Sequence, residues 1–286
     1  MSKRNLLNLV LLIFTLALVA IVIMEPGKKE ATQPPTLTTL KAEDIHSIKI
    51  HRRGIGATDQ DIEFNKTPRG WQLVKPYSVS ANTFRVDSIL KLLAAPSLSQ
   101  NDLSQLDLST FDLKQPLVTV SFNDTRIEFG HNKSLKNHRY VKIGSTLYMI
   151  ADTFYYQVNA RAESYINHKL LPENARITKL ILPNIKLEQA EGKWRVKAGA
   201  KDVSADSITQ LINEWQLSQA YDVKVSKAEV NAKADIKVYL NNEQTSRFKI
   251  IGSSESFILF NIDNGISYIL SKDRQDKLLK LNDVES

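Results

Sequence analysis

Two halves of this chain repeat one pattern of residues, and this repetition constrains the fold more than any other feature. A tryptophan just after a glycine-containing turn occurs at Trp71 and again at Trp194, about 120 residues later, and a tyrosine in an apolar segment recurs at a similar distance, at Tyr148 and Tyr268. Around these landmarks apolar residues alternate with polar ones, interrupted by Gly, Pro and Asn, which predicts short antiparallel strands. Agreement at several landmarks predicts an internal duplication.

Each half also contains one segment with helical periodicity. Its apolar residues recur at i, i+3, i+4 and i+7, which places them on one helix face: Val86, Ile89, Leu90 and Leu93 in the first half, and Ile208, Leu211, Ile212 and Trp215 in the second. Asn82 and Asp206 are predicted N-caps, because their side-chain oxygens accept hydrogen bonds from first-turn N–H groups. Trp71 and Trp194 are predicted to be core residues at the helix–sheet interface.

The first residues of the chain form a continuous apolar run. From Leu6 to Met24 only Asn8 and Thr15 have polar side chains, and nineteen helical residues extend about 28 Å, close to the thickness of a bilayer's hydrocarbon. A buried core helix would show a polar stripe, which this run lacks. We predict an uncleaved signal-anchor. A cleaved signal peptide is the alternative, although no Ala-x-Ala-like cleavage pattern follows the run.

The predicted fold class is therefore α+β: an N-terminal transmembrane helix followed by two tandem duplicated domains, each an antiparallel sheet with a packed helix. The predicted divisions are a transmembrane signal-anchor at 1–24, a linker at 25–43, and two α+β repeats at 44–172 and 173–286. The linker contains two consecutive prolines and several threonines, which favours an extended, solvated chain.

Charge and cysteine content bound the cellular location. Lys3 and Arg4 precede the apolar run while Lys28 and Lys29 follow it, so the flanking charges are nearly balanced. Because long domains translocate largely regardless of charge, we predict a cytoplasmic N-terminus and an exported body. The chain has no cysteine, which excludes disulfides, thiol catalysis, cysteine metal ligands and a lipidated cysteine. The predicted location is a bacterial inner membrane, with a single span and a periplasmic body.

The net charge of +7 raises the question of nucleic-acid binding. Acidic residues are interspersed with the basic ones along the body, so the excess charge is mild and distributed. This distribution allows attraction to anionic headgroups and argues against dedicated nucleic-acid binding.

No residue constellation predicts a reaction. The chain has no Gly-x-Ser-x-Gly elbow, and although His131 and His138 share one loop, no Asp or Glu lies between them to complete a metal site. We therefore predict no catalytic, cofactor-binding or metal-binding residues. The same loop contains Lys133, Lys136 and Arg139 and no acid, so these three residues and His138 are candidates for contact with an anion or an acidic partner. The alternative is a soluble hairpin connection.

Five short segments carry a family resemblance: Trp71 with Pro76, Phe111-Asp112-Leu113 with Pro116, Phe129-Gly130, Arg139-Tyr140-Val141, and Leu147-Tyr148. They resemble the bacterial family known as domain of unknown function 4340, over about residues 70–200. Asp112 stands where that family usually has glycine. The resemblance implies a single-pass envelope protein associated with ABC-type transport systems of the gliding-motility kind, and it brings no catalytic residues.

These observations predict a non-enzymatic periplasmic interaction module that is anchored to the inner membrane through residues 6–24. It would be an accessory subunit of an ABC-type transport or cell-envelope complex, with a membrane-protein complex as its partner. The alternative is a periplasmic lipid- or glycan-binding protein with its ligand between the repeats. A deep apolar cleft near Leu170, Leu171 and Pro172 would favour that alternative, and a tightly packed junction would count against it.

Overall fold

The computed structural model describes residues 3–24, 34–54, 61–133, 137–198, 203–225 and 235–281. Within these ranges the chain forms a long N-terminal helix, α1 (Lys3–Met24), and two antiparallel sheets with short helices between the strands. This arrangement confirms the predicted α+β class.

The first sheet contains nine strands in the order β4-β3-β2-β1-β6-β7-β8-β9-β5. Along β1, Ile48 and Ile50 are buried while Lys49 and His51 are exposed, the alternation expected of a sheet with one face on the core. The strand bounds are β1 (Ser47–Arg52), β2 (Asp61–Thr67), β3 (Gly70–Lys75), β4 (Val79–Ser80), β5 (Ser99–Asp102), β6 (Val118–Phe122), β7 (Thr125–Lys133), β8 (His138–Ile143) and β9 (Thr146–Ala151).

The second sheet contains eight strands in the order β12-β11-β10-β14-β15-β16-β17-β13. Every pairing between strands in both sheets is antiparallel across the described residues. The strand bounds are β10 (Ile177–Ile181), β11 (Lys186–Ala190), β12 (Lys193–Ala198), β13 (Asp222–Val225), β14 (Ile236–Leu240), β15 (Thr245–Ile251), β16 (Ser256–Asn261) and β17 (Ile266–Ser271).

The two predicted helices are present, and one of the two predicted N-caps is correct. Asn82 caps the first helix, since its side chain accepts a hydrogen bond of 3.2 Å from the Arg85 N–H. The prediction of Asp206 as an N-cap is wrong, because Ser204 accepts the equivalent bond from the Ser207 N–H, at 3.1 Å. Asp206 instead lies in the first turn, where its carboxylate complements the positive end of the helix dipole. The helices of the body are α2 (Thr83–Leu90), α3 (Thr153–Val158), α4 (Ala205–Leu217) and α5 (Arg274–Leu279).

The predicted apolar faces of α2 and α4 are buried. Trp71 is 7% exposed and belongs to the core, and Trp194 is half-buried and packs against it. Trp215 on α4 is fully buried, packs on Phe248 with ring centroids 5.7 Å apart, and donates a hydrogen bond of 2.8 Å from Nε1 to the Leu278 carbonyl. The α4–α5 pair is therefore held to the second sheet by both packing and a buried polar contact.

The segment that joins the two halves is hydrogen-bonded on both sides. Toward the first half, the Asn82 N–H donates to the Tyr165 carbonyl at 2.7 Å, and the Asn167 N–H donates to Ser80 at 2.9 Å. Toward the second half, the Ala220 N–H donates to the His168 carbonyl at 2.9 Å. Buried apolar residues from both sheets also belong to one continuous cluster. The two halves are consequently packed together across this connector, which comprises residues 165–170.

The predicted linker is hydrogen-bonded to the body near its C-terminal end. Leu37 is 3% exposed, and its N–H donates to the Ala95 carbonyl at 2.8 Å. The Thr38 N–H and hydroxyl both donate to the Leu93 carbonyl, each at 3.0 Å. The C-terminal part of the predicted linker, 25–43, is therefore held to the body at Leu37 and Thr38, and residues 25–33 lie outside the described residues.

Candidate functional site

The described residues of the predicted basic loop lie mostly in the β7–β8 strand pair, because β7 ends at Lys133 and β8 begins at His138. Lys133 is exposed at the end of β7 and is paired in register with His138, the first residue of β8. The Nδ1 atom of His138 is buried and has no hydrogen-bond partner among the described residues. Lys136 lies outside the described residues. The structure therefore brings two of the four candidates, Lys133 and His138, to adjacent positions.

Arg139, the fourth candidate, points into the protein. It is 6% exposed, its Nε lies 2.5 Å from Asp152 Oδ1, and a terminal nitrogen donates a hydrogen bond of 2.6 Å to the Gly130 carbonyl. Its guanidinium carbon also lies 3.6 Å from the centroid of the Tyr155 ring. With its charge neutralised by Asp152 and its donors engaged, Arg139 joins β7, β8 and the start of α3, and it is not presented to an anion at the turn.

A second candidate site is an open cleft of about 550 Å³ beside the connector between the two halves. We call it the junction cleft. Its walls combine amide side chains from both halves with apolar surface, and Trp71 is among the lining residues. The lining residues are Thr67, Pro68, Arg69, Gly70, Trp71, Gln72, Ser80, Ala81, Thr83, Asn167, Pro172, Glu173, Asn174, Ala175, Asn241, Asn242 and Gln244. No local motif announces this site, since residues such as Arg69 and Asn242 are far apart in sequence.

The apolar junction residues Leu170, Leu171 and Pro172 line a separate, open cleft of about 380 Å³, together with polar side chains such as Asn261 and Asp263. Leu170 and Leu171 are 2% and 5% exposed and are members of the continuous core cluster. Only Pro172 of the three junction residues lines the junction cleft. A cleft with amide and hydroxyl walls suits a hydroxylated ligand better than an acyl chain, because an acyl chain would leave those polar groups unpaired.

The described residues offer no metal centre. No group of three or more His, Asp or Glu side chains is placed to hold a metal ion in these ranges. The absence of catalytic, cofactor-binding and metal-binding residues stays a prediction.

The family profile described as domain of unknown function (DUF4340) matches residues 71–246, more than half of the chain. The chain belongs to the DUF4340 family. No curated protein and no solved structure matches the chain.

The positions that carry the DUF4340 pattern have structural roles in this chain. Asp112, at the family's usual glycine, has φ 54° and ψ 28°, a left-handed conformation that glycine adopts without steric cost. Gly130 lies so close to the Phe111 carbonyl that a side chain there has no room. Arg139 forms the buried ion pair with Asp152. These DUF4340 positions therefore shape the turn before β6 and the β7–β8 hairpin.

Proposed function

We propose that this protein is a non-enzymatic interaction module, anchored in a bacterial inner membrane by α1, with its body in the periplasm. The observation that carries the proposal is the surface of α1. None of the segment from Lys3 to Ala20 is buried against the body, and side chains such as Leu7 and Phe14 are 61% and 62% exposed. A helix that is apolar on every side and unburied is stable where lipid surrounds it.

The anchor also limits where the body can work. Ten residue steps separate Met24 from Pro34, so a fully extended chain spans at most about 35 Å between them. The body is thus confined close to the membrane surface. This confinement supports the role of an accessory subunit of an ABC-type transport or cell-envelope complex, whose other subunits would lie in the same membrane.

We also propose that the body arose by internal duplication, with repeats at 44–172 and 173–286. The strand orders support it: without β4, the first sheet reads β3-β2-β1-β6-β7-β8-β9-β5, and the second reads β12-β11-β10-β14-β15-β16-β17-β13. With β4 left out, the first strand of each half, β1 or β10, is the third strand in its sheet order. In each half one helix, α2 or α4, follows the first group of strands along the chain.

The edge strand β12 is the partner surface that fits best. Among the described residues β12 pairs only with β11, so its other edge is open. Lys193 and Lys197 on β12 are exposed, while Trp194 and Val196 pack toward the core. An extended, acidic segment of a partner protein would gain both main-chain hydrogen bonds and charge complementarity there.

The test is crosslinking of the full-length protein in its native cells, followed by solubilisation and identification of the proteins that co-purify. We expect subunits of a transporter or envelope complex. Exchange of residues 1–24 for a cleavable signal should abolish their recovery, and exchange for an unrelated apolar span should restore part of it. Recovery of the protein alone from the native anchor would refute the proposal.

A second candidate function is the binding of a glycan in the junction cleft. The specific observation is that amide side chains from both halves line one cleft together with apolar surface that includes Trp71, a combination that suits the hydroxyl groups and apolar faces of a sugar. Asn242 is exposed at the rim, so Asn242→Trp fills the cleft without disturbing the core. Native mass spectrometry of the purified full-length protein should show a saccharide mass that this variant loses. Identical spectra without any added mass would exclude a stably bound glycan.

A further inference from the structure

A second opening between the two halves, of about 600 Å³, is lined by an unusual concentration of charged side chains. It lies between the start of α2, the segment around residues 161–168 and the edge strand β13. We call it the basic cleft. Its charged and titratable residues are Arg85, Arg161, Lys224, His168, Glu163 and Asp222.

The three cations of the basic cleft differ in their exposure. Arg85 in the first turn of α2 is half-buried, and Arg161 and Lys224 are exposed. Within the described ranges none of them forms an ion pair, whereas the buried Arg139 is paired with Asp152. Three elements from both halves thus direct positive charge into one concave site, the arrangement that raises the local concentration of an anion.

The two carboxylates of the cleft have different surroundings. One oxygen of Asp222 accepts a hydrogen bond of 2.9 Å from the Val223 N–H. Glu163 Oε1 accepts a bond of 3.0 Å from the Tyr77 hydroxyl, but Glu163 Oε2 is buried and has no partner among the described residues. A buried acceptor without a donor is costly, so a ligand that supplies a donor to Oε2 recovers that cost.

His168 also lines the basic cleft. Its Nδ1 lies 3.1 Å from the Ala220 carbonyl oxygen, which only accepts, so Nδ1 carries the proton. The cleft therefore has three cations against two carboxylates, and one of these carboxylates, Glu163, has an oxygen that lacks a donor.

We propose that the basic cleft binds a phosphate group whose molecule also carries an ammonium or hydroxyl donor a few bonds away. The phosphate contacts Arg85, Arg161 and Lys224, since guanidinium groups match phosphate oxygens with paired N–H donors. The donor end reaches Glu163 Oε2. Phospholipid headgroups and soluble phosphorylated amino alcohols or sugars share this chemistry. The inference is independent of the partner complex, because the binding is measured on the purified protein.

The first experiment is calorimetric titration of the full-length protein, in an uncharged detergent, with O-phosphoethanolamine. The double variant Arg161→Gln/Lys224→Gln should weaken binding about tenfold or more, because it removes two charge-assisted contacts. The control Lys91→Gln/Lys237→Gln removes two positive charges from exposed positions outside the basic cleft and should bind like the wild type. Equal affinity in the wild type and the cleft variant, or no binding by the wild type at millimolar ligand, would overturn the proposal.

The donor requirement is tested with phosphocholine, whose trimethylammonium group has no N–H. It should bind more weakly than O-phosphoethanolamine, and Glu163→Gln should remove most of that difference while leaving the affinity for phosphocholine unchanged. Equal binding of both probes would refute the role of Glu163 Oε2.

The source of the phosphate is decided with glycerophosphoethanolamine, the diester of a lipid headgroup without its acyl chains. Binding at least as tight as that of O-phosphoethanolamine indicates a membrane lipid. Much weaker binding indicates a soluble phosphomonoester.

Discussion

Replacement of Gly130 by alanine tests how closely β7 and the turn before β6 must approach. A Cβ at this position would lie within 3.0 Å of the Phe111 carbonyl oxygen, 3.1 Å from Leu113 Cγ and 3.2 Å from the Phe111 carbonyl carbon. Two of these three atoms belong to the backbone, so a change of side-chain rotamer cannot relieve the contact. The β7 strand or the Phe111–Leu113 turn must move instead.

Overpacking of this kind costs about 3 kcal/mol, at the upper end of the usual range, because backbone atoms have to shift. For a body of this size that corresponds to a fall in Tm of about 6–12 °C. The assay is thermal unfolding of the full-length protein in detergent, followed by near-UV circular dichroism, with Gly252→Ala as the matched control. Gly252 follows β15, has a negative or extended φ, and would place no Cβ within 4 Å of another atom. Its substitution should change stability by less than about 0.5 kcal/mol. Equal Tm values for the two variants would refute the reasoning.

Three further substitutions follow from the same structure. Arg139→Met should cost about 3–5 kcal/mol in urea unfolding because it leaves Asp152 buried and unpaired, and adding Asp152→Leu should recover part of that loss. Burial raises the pKa of Tyr268 from 10.0 to about 12, so the contribution of this residue to stability is fully present below pH 10 and declines as the pH rises toward 12, by about 1.4 kcal/mol per unit. Tyr268→Phe should flatten that decline. Burial also raises the pKa of Tyr165, which adds a separate decline over the same range. Asp112→Gly should stabilise the fold by about 1 kcal/mol, since glycine adopts the left-handed conformation without strain.

Each of these has a contradicting result. Additive losses from the Arg139 and Asp152 substitutions would mean that the two side chains are not coupled. If the stability of Tyr268→Phe falls above pH 10 as steeply as that of the wild type, groups other than Tyr268 cause the decline. A lower Tm in Asp112→Gly would mean that the aspartate side chain contributes more than its backbone strain costs.

The strands and helices were predictable because their signals are local. Alternation of apolar and polar residues around the two tryptophans identified the strands β3 and β12, and the i, i+3, i+4, i+7 spacing identified α2 and α4. The start of α4 was misplaced because Ser and Asp are both favourable N-cap residues. Sequence alone does not show whether Ser204 or Asp206 is the residue that precedes the first helical turn.

The candidate sites were less predictable because they depend on contacts between distant residues. Arg139 looked like part of a basic loop, and only the position of Asp152 across the β8–β9 hairpin shows that its charge is buried. The basic cleft joins Arg85 to Lys224, which lie far apart in sequence with no shared motif. Pairing of the halves at the connector creates that cleft, and the local pattern of either half contains no sign of it.

The short connection between α1 and Leu37 has a thermodynamic consequence. With α1 in a membrane, as we propose, a tether of this length would hold the body at an effective concentration in the millimolar range relative to anything fixed in the same membrane. A contact with a Kd of about 1 mM, worth only about −4 kcal/mol, is then substantially occupied. The same contact is nearly empty when a body released from its anchor is diluted to micromolar concentration in an assay. Binding surfaces on this protein can therefore be weak, reversible and still engaged for most of the time.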